Sequence, residues 1–140
     1  MRRWPPKPSG AMLAIDTNLI VRYLTADHPE QAAKAKALID ATDVFVCTTV
    51  LLETEWVLRS AYGFAADRLS AAIRAFAGLP HVTVENAALI ATALDWMERG
   101  MDFADALHLA AAAKCEAFIS FDSRLRAVAD RLDTMPVRMP

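Results

Sequence analysis

The chain alternates short apolar runs with longer segments in which apolar side chains recur every three or four positions. The short runs predict buried β-strands, and the periodic segments predict amphipathic α-helices. The predicted strands cover residues 12–15, 44–47, 82–84, 117–121 and 137–139. The predicted helices cover residues 19–24, 29–39, 50–62, 65–76, 86–99, 103–114 and 124–132. Because the strands do not alternate apolar with polar residues, the pattern predicts an α/β fold whose parallel sheet carries helices on both faces.

The length of the chain indicates a single folded domain. A chain of 140 residues, 55% of them hydrophobic, is the usual size for one core. Residues 1–11 include three prolines and a glycine, so we expect a disordered tail followed by one domain over residues 12–140. No uncharged apolar run approaches the roughly 18–20 residues that span a bilayer, and the first ten residues lack the apolar stretch of a signal peptide. We therefore expect a cytoplasmic protein without membrane contact.

The charge balance neither indicates nor excludes a nucleic-acid partner. The formal net charge is −2, whereas binding by counterion release usually needs a basic face. A local basic patch or a bound metal ion can still reverse the local field. The two cysteines are too few for a disulfide framework or a zinc site.

Two aspartates directly follow predicted strands. Asp16 follows the strand over 12–15, and Asp122 follows the strand over 117–121. In open α/β sheets, ligands bind outside the carboxyl ends of the strands, so both acids belong to the predicted functional edge. Taken singly, each is equally explained as the N-cap of the next helix, a role worth about 1 kcal/mol.

A glutamate in the helix over 50–62 is harder to explain as a surface residue. Helical spacing places Glu53 on the same face as Val50 and Val57, and a charge on an apolar face is costly unless it is paired or bound to metal. Its neighbour Glu55 lies on another side of the helix, where a surface ion pair with Arg59 is expected.

Asp102 and Asp105 stand at the start of the helix over 103–114, where acids are also favoured as caps and by the helix dipole. Four acids from separate segments are therefore expected at one edge of the sheet. They are Asp16, Glu53, Asp105 and Asp122. Such carboxylates repel one another without a counter-ion, and an all-oxygen donor set selects a hard ion such as Mg²⁺ or Mn²⁺. Phosphoryl chemistry, with one or two ions, is the common use of such a site.

Four blocks of the sequence resemble the PIN domain, and in particular the VapC-type toxin ribonucleases of toxin–antitoxin pairs. The blocks are Asp16-Thr17-Asn18 with Arg22-Tyr23, residues 52–59, residues 102–108, and Ser120-Phe121-Asp122. The resemblance covers about residues 12–139. It implies a three-layer α/β/α fold with a central, mainly parallel sheet. It also implies an endoribonuclease that depends on Mg²⁺ or Mn²⁺, is usually a homodimer, and is inhibited by a small cognate antitoxin.

The resemblance also implies roles for individual residues. The family's acidic quartet, expected to be catalytic and to bind metal, matches Asp16, Glu53, Asp105 and Asp122. Supporting polar positions match Asn18 and Ser120, and an acid that often precedes the third block matches Asp102. Candidates for contacts with the RNA backbone are Arg22, Arg59 and Arg124, although a surface salt bridge is the more frequent fate of such an arginine.

Two other interpretations stay open. One is a PIN nuclease that acts in RNA processing without an antitoxin. The other is a receiver-like signalling domain, which also gathers acids around Mg²⁺ but needs a lysine directly after a strand, a position that none of the four lysines occupies.

The helices over 50–62 and 65–76 are rich in apolar residues, and we expect them to form a homodimer interface. The apolar residues meant here are Leu51, Leu58, Tyr62, Leu69 and Phe76. If one set of these side chains packs on the sheet, another set is left to pack across a two-fold axis. Trp56 and Trp96 have helical core spacing, so we interpret both as core residues rather than as platforms for base stacking.

Overall fold

The computed structural model describes residues 12–140. The predicted tail over residues 1–11 lies outside the described residues. The strands are β1 (Leu13–Ala14), β2 (Val44–Val46), β3 (Val82–Val84), β4 (Phe118–Ile119) and β5 (Val137–Arg138). The helices are α1 (Thr17–Thr25), α2 (Pro29–Ala41), α3 (Thr48–Ser60), α4 (Ala66–Ala77), α5 (Ala87–Glu98), α6 (Phe103–Ala111) and α7 (Ser123–Leu132). Every predicted strand and helix is present, with ends that differ by up to three residues.

All strand pairs are parallel, which confirms the predicted α/β class. Strands β1, β2 and β3 form one sheet in that order, and β4 pairs with β5 in a second, two-stranded sheet. The register places Val44 opposite both Leu13 and Val82. Among the described helices, none is long and apolar enough to cross a membrane.

Strands β1 and β4 are less buried than expected. Leu13 in β1 is 44% exposed and Ile119 in β4 is 53% exposed, whereas Val44 and Val46 in β2 are fully buried. Strand β2 has a neighbour on each side, while β1 and β4 each pair on one side only. The prediction that 12–15 and 117–121 are buried strands is therefore wrong for most of their residues.

Helix α3 packs on its neighbours through one continuous apolar stripe. Leu51 and Leu58, seven residues apart, are both almost completely inaccessible to solvent. Helix α3 contacts α1, α4 and α6, so it lies in the middle of the helical packing. The side chain of Glu85, directly after β3, accepts a hydrogen bond of 2.9 Å from the Thr48 N–H at the start of α3. That bond lowers the pKa of Glu85 and supplies the cap that Cys47 does not.

Arg22 is held by other residues of the fold. Its guanidinium donates hydrogen bonds to Gln31 at 2.8 Å, to Asp27 at 3.2 Å and to the hydroxyl oxygen of Tyr62 at 3.2 Å. Tyr62 in turn donates to Asp27, and this bond is the largest cause of a lowered pKa at that carboxyl group. The network ties the α1–α2 connection to the end of α3. Its Nη2 group has no hydrogen-bond partner among residues 12–140, so a contact of Arg22 with the RNA backbone stays a prediction.

Most of the apolar side chains named for the expected dimer interface are buried inside the protomer. Four of the five apolar side chains assigned to it are buried inside the protomer, namely Leu51, Leu58, Leu69 and Phe76. The fifth, Tyr62, is half-buried and belongs to the network with Arg22. Other apolar surface of α3 stays accessible, since Trp56 is exposed, so the use of α3 and α4 as a dimer interface stays a prediction. The homodimer itself stays a prediction.

We predict that Leu58→Ala lowers the free energy of unfolding by about 2–5 kcal/mol, because it leaves a cavity in a fully buried position. Urea denaturation of the purified variant measures the loss. Leu52→Ala is the matched control, since Leu52 is only half-buried on the same helix and its loss should be clearly smaller. Equal losses would contradict the orientation of α3 described above.

Candidate active site

Three of the predicted site acids are N-caps of helices, as their alternative interpretation required, namely Asp16, Asp102 and Asp122. Asp102 caps α6, and its carboxylate accepts a hydrogen bond of 3.2 Å from the Asp105 N–H. Asp122 caps α7 and accepts from the N–H groups of Arg124 and Leu125, at 2.9 and 3.1 Å. Capping fixes where these carboxylates stand. It does not use up their acceptor capacity, because each carboxylate has about four lone-pair sites.

The starts of α6 and α7 meet α3 and α4 at a cleft of about 400 Å³. Its apolar wall includes Leu69, Met97, Phe103 and Leu125. The charged side chains that line it are Glu55, Arg59, Asp102, Asp105, Asp122 and Arg124. Four acids thus share one concave surface with two arginines, which is a suitable arrangement for a ligand that carries both a cation and phosphate groups.

The carboxyl group of Asp105 has a raised pKa in this cleft. Burial is the largest cause of a raised pKa at its carboxyl group, and the negative charges of Asp102 and Asp122 raise that pKa further. His108 acts in the opposite direction. The raised pKa means that the cleft disfavours the ionised form of Asp105 until a positive charge arrives.

Ser120 supports the turn that presents Asp122. Its hydroxyl oxygen accepts a hydrogen bond of 3.0 Å from the Asp122 N–H, and its carbonyl oxygen accepts one of 3.1 Å from the side chain of Arg126. The side chain thus holds the loop between β4 and α7. This placement agrees with a supporting position, although Ser120 does not itself line the cleft.

Asp16 and Asn18 are not brought to this cleft. Asp16 caps α1, where its carboxylate accepts from the Thr17 N–H at 2.8 Å, and Asn18 is an exposed residue of the first turn. The neighbouring Thr17 is buried, and its hydroxyl has no hydrogen-bond partner among residues 12–140. Asp16 does not line the cleft that the other acids share, and its place in one cluster with them stays a prediction.

The two glutamates of α3 have the opposite placement to the one expected. Glu55 is buried, at 2% exposure, and lines the cleft, whereas Glu53 is exposed. The expectation that Glu53 lies on the apolar face was wrong, because the buried stripe runs through Leu51 and Leu58 and therefore includes Glu55. Glu53 instead lines a shallow groove next to the cleft. Its catalytic role stays a prediction.

The predicted pair between Glu55 and Arg59 is present, but it is not a surface pair. The Arg59 Nε donates to the Glu55 carboxylate at 2.8 Å, and this bond is the main cause of a raised pKa at Arg59. Since a buried carboxylate is costly without a partner, the pair explains how Glu55 is tolerated. The i, i+4 spacing was the signal for the pair, and its place on the Leu51–Leu58 stripe was the signal for burial that the sequence analysis missed.

Of the three arginines proposed for RNA, Arg124 has the freest side chain. It is exposed, it lines the cleft, and it forms no ion pair within residues 12–140. Arg59 also lines the cleft but is paired with Glu55, and Arg22 is held elsewhere. Trp56, interpreted above as a core residue, is 57% exposed, so that interpretation was wrong. Trp96 is half-buried against the core.

Comparison with known families identifies the chain. The family model of the PIN domain matches residues 13–131, which make up most of this chain. The chain belongs to the PIN-domain family. Among solved structures, it is similar to the VapC20 toxin of Mycobacterium tuberculosis, described as cleaving the sarcin–ricin loop. The two chains are 24% identical, the match covers 84% of this chain and 94% of that chain, and the TM-score is 0.42. No curated protein sequence gave a significant match.

PIN nucleases generally use divalent metal ions, so the cleft can be tested for its fit to one. Its donors are carboxylate oxygens, which suit Mg²⁺ or Mn²⁺, and the pKa of Asp105 is raised first by burial and then by the charges of Asp102 and Asp122, which a cation would offset. Within residues 12–140, no group of three or more His, Cys, Asp or Glu residues is arranged so that it could hold an ion. The cleft of this PIN domain therefore suits a hard cation in donor type and charge, but its carboxylates are not arranged as a ligand set in this structure, and the aspartates that line it are Asp102, Asp105 and Asp122.

We predict that Asp105→Asn stabilises the metal-free protein at neutral pH. The pKa of Asp105 is higher in the folded than in the unfolded chain, so the folded state binds this proton more tightly. The free energy of unfolding of the parent should therefore fall as pH rises through the folded pKa. The advantage of the variant should be present at neutral pH and vanish once the pH is below the ordinary aspartate range.

Urea denaturation in EDTA across this pH range measures the difference. Asp130→Asn, at an exposed position of α7, is the control; it keeps Asp105, so its free energy of unfolding should follow that of the parent across the pH range. A variant that is less stable than the parent at neutral pH would show that Asp105 is needed for the fold.

Proposed function

We propose that this PIN domain is an endoribonuclease that hydrolyses RNA phosphodiester bonds and depends on Mg²⁺ or Mn²⁺. One observation carries the proposal. The family match over residues 13–131 coincides with a cleft in which Asp102, Asp105 and Asp122 lie close together beside Arg124, which forms no ion pair with residues 12–140. An excess of carboxylates beside a guanidinium suits a ligand that combines a metal ion with a phosphate better than it suits most other ligands.

The residues of the cleft are proposed to have different roles according to their chemistry. Asp105 and Asp122 are proposed as the principal metal ligands, with Asp102 as a supporting acid and Ser120 holding the Asp122 turn. When bound, a divalent ion lowers the pKa of water and offsets the charge that develops on the phosphate. Arg124 is proposed to bind a phosphate oxygen of the backbone, because its guanidinium is free to form a bidentate contact. Arg59, paired with Glu55, is placed to bind a second one.

The remaining members of the quartet are proposed on the motif resemblance. Asp16 and Glu53 match the family's acidic positions but lie outside the cleft, and Asn18 stands beside Asp16. We propose Asp16 and Glu53 as further ligands, directly or through water, and Asn18 as a residue that positions them. Whether one or two ions bind is part of what the metal titration below measures.

We further propose that the nuclease is the toxin of a type II toxin–antitoxin system and that a small cognate antitoxin inhibits it. The support is the order and spacing of the four motif blocks, which match the VapC type. A PIN nuclease of RNA processing would have the same cleft but no inhibitor. Expression with and without the adjacent gene, followed by sequencing of the RNA ends, distinguishes the two.

We predict that Asp105→Asn and Asp122→Asn lose most RNA cleavage, by roughly 100-fold or more, because each removes a charge that holds the metal. Asp122→Asn should keep its helix cap, since Asn and Asp cap about equally. Asp16→Asn and Glu53→Gln test the proposed outer ligands in the same assay, in which purified protein is incubated with RNA and Mg²⁺ or Mn²⁺.

The control is Asp130→Asn, which removes a carboxylate from α7 away from the cleft and should cleave normally. Glu55→Gln is unsuitable as a neutral control, because Glu55 is buried and paired with Arg59. Full activity of Asp105→Asn and Asp122→Asn would show that these acids are caps only and would overturn the assignment of the cleft.

We predict that millimolar Mg²⁺ or Mn²⁺ raises the melting temperature of the parent protein relative to EDTA. A ligand that binds only the folded state stabilises it by about 2.7 kcal/mol at 100 times its Kd. Thermal melts over a metal titration measure the shift, and isothermal calorimetry gives the number of ions. The shift should be lost in Asp105→Asn and kept in Asp130→Asn, so a shift of equal size in both variants would place the ion elsewhere.

A further inference from the structure

The exposed indole of Trp56 is the starting observation. Trp56 lies in the middle of α3, between the buried residues Leu51 and Leu58, yet 57% of its surface is open to solvent. Tryptophan offers a large apolar face, so an exposed one on a regular helix gives up a stabilisation that burial would supply. Nothing in the packing of α3 requires an aromatic residue at this position, which points to a role outside the core.

Trp56 borders a shallow groove of about 450 Å³ on the same side of α3 as the cleft. Thr49, Leu52 and Ala104 give the groove a small, largely apolar lining next to the indole. Glu55, Arg59 and Asp102 line both the groove and the cleft. The two depressions are therefore adjoining parts of one surface, so a ligand longer than the cleft has a path into the groove.

The charges of the groove select which part of a nucleic acid can enter it. Glu53 and Asp102 carry negative charges there, and the charge of Arg59 is largely balanced by Glu55. Acidic side chains repel a phosphate, whereas a base is uncharged and presents a flat π-face that stacks on an indole. Arg59 stands one helical turn after Trp56, with nearly half of its side chain exposed, so it can contact the phosphate that follows the stacked base.

We infer that Trp56 is a stacking platform that holds an unpaired base of the RNA in the groove while the neighbouring phosphodiester lies in the cleft. The inference rests on the proposed function and specifies its substrate class. The bases of a duplex are already stacked on their neighbours, so the substrate is a single strand, a loop or a bulge. Stacking tolerates any base, so Trp56 contributes affinity and position rather than a sequence preference.

The experiment compares Trp56→Ala, Trp56→Phe and Trp96→Phe. A fluorescein-labelled single-stranded adenosine decamer of RNA is titrated with each protein, and its duplex with a uridine decamer serves as the second probe. Fluorescence anisotropy is read in Ca²⁺ in place of Mg²⁺, and a gel confirms that the probe is intact. Thermal melts check that the variants are folded.

Trp56→Ala should bind the single strand roughly 5- to 100-fold more weakly, the range that loss of one base–aromatic stack gives. Trp56→Phe should recover most of the affinity, because a phenyl ring still offers a π-face. Trp96→Phe should bind like the parent, since Trp96 is packed against the core on α5. The duplex should bind more weakly than the single strand and should not respond to Trp56.

Equal binding by the parent and a folded Trp56→Ala would overturn the inference, and so would a preference of the parent for the duplex. Light scattering tests the competing occupant, a second copy of the chain. If the parent is a dimer and Trp56→Ala is a monomer, Trp56 is a contact between copies and the inference is wrong.

Cleavage assays run in parallel distinguish failure of this inference from failure of the proposed function. A parent that binds through Trp56 but cleaves no RNA would overturn the nuclease, and a parent that cleaves while Trp56→Ala keeps its affinity and KM would overturn the platform alone.

Discussion

The burial of the Leu51–Leu58 stripe of α3 sets the orientation of the helix on which the candidate site depends. With this stripe packed inward, Glu55 is carried into the cleft and Glu53 and Trp56 are turned outward. A rotation of α3 by about 200°, the angle between residues two apart in a helix, would bring Glu53 to the place of Glu55. Such a rotation would expose large apolar side chains, each worth about 1.5–3 kcal/mol when buried, so packing overrides the preference of any single charge.

Helix capping and site chemistry act on the same residues in this protein. Asp102 and Asp122 each satisfy N–H groups at the start of a helix, which places their carboxylates at a defined point with a defined orientation. The starts of α6 and α7 meet at one cleft, and so the capping carboxylates come close to Asp105. The two interpretations that the sequence left open are therefore compatible, because a cap fixes the position of a group that can still accept a ligand.

The surface of the cleft combines strong negative charge with separate positive groups. The pKa of Asp105 is raised, because burial and two neighbouring carboxylates all disfavour its ionised form. Arg59 is tied to Glu55, while Arg124 has no partner of this kind in the described part of the chain. This division gives a ligand with a cation and a phosphate a place for each. The adjoining groove around Trp56 adds a surface for an uncharged, flat group.

The sequence by itself determined the order of strands and helices, the α/β class, the family resemblance and the acids that begin helices. These features depend on local interactions, namely the spacing of apolar residues and the pairing of cap side chains with nearby N–H groups. Only the tertiary structure decided which face of α3 is buried, because apolar residues lie on several sides of that helix and periodicity alone does not choose between them. It likewise decided that Arg22 binds Asp27 and Tyr62, and that Glu55 rather than Glu53 lines the cleft. These outcomes depend on which distant segments meet, and that choice is made by the packing of the whole core rather than by any short stretch of residues.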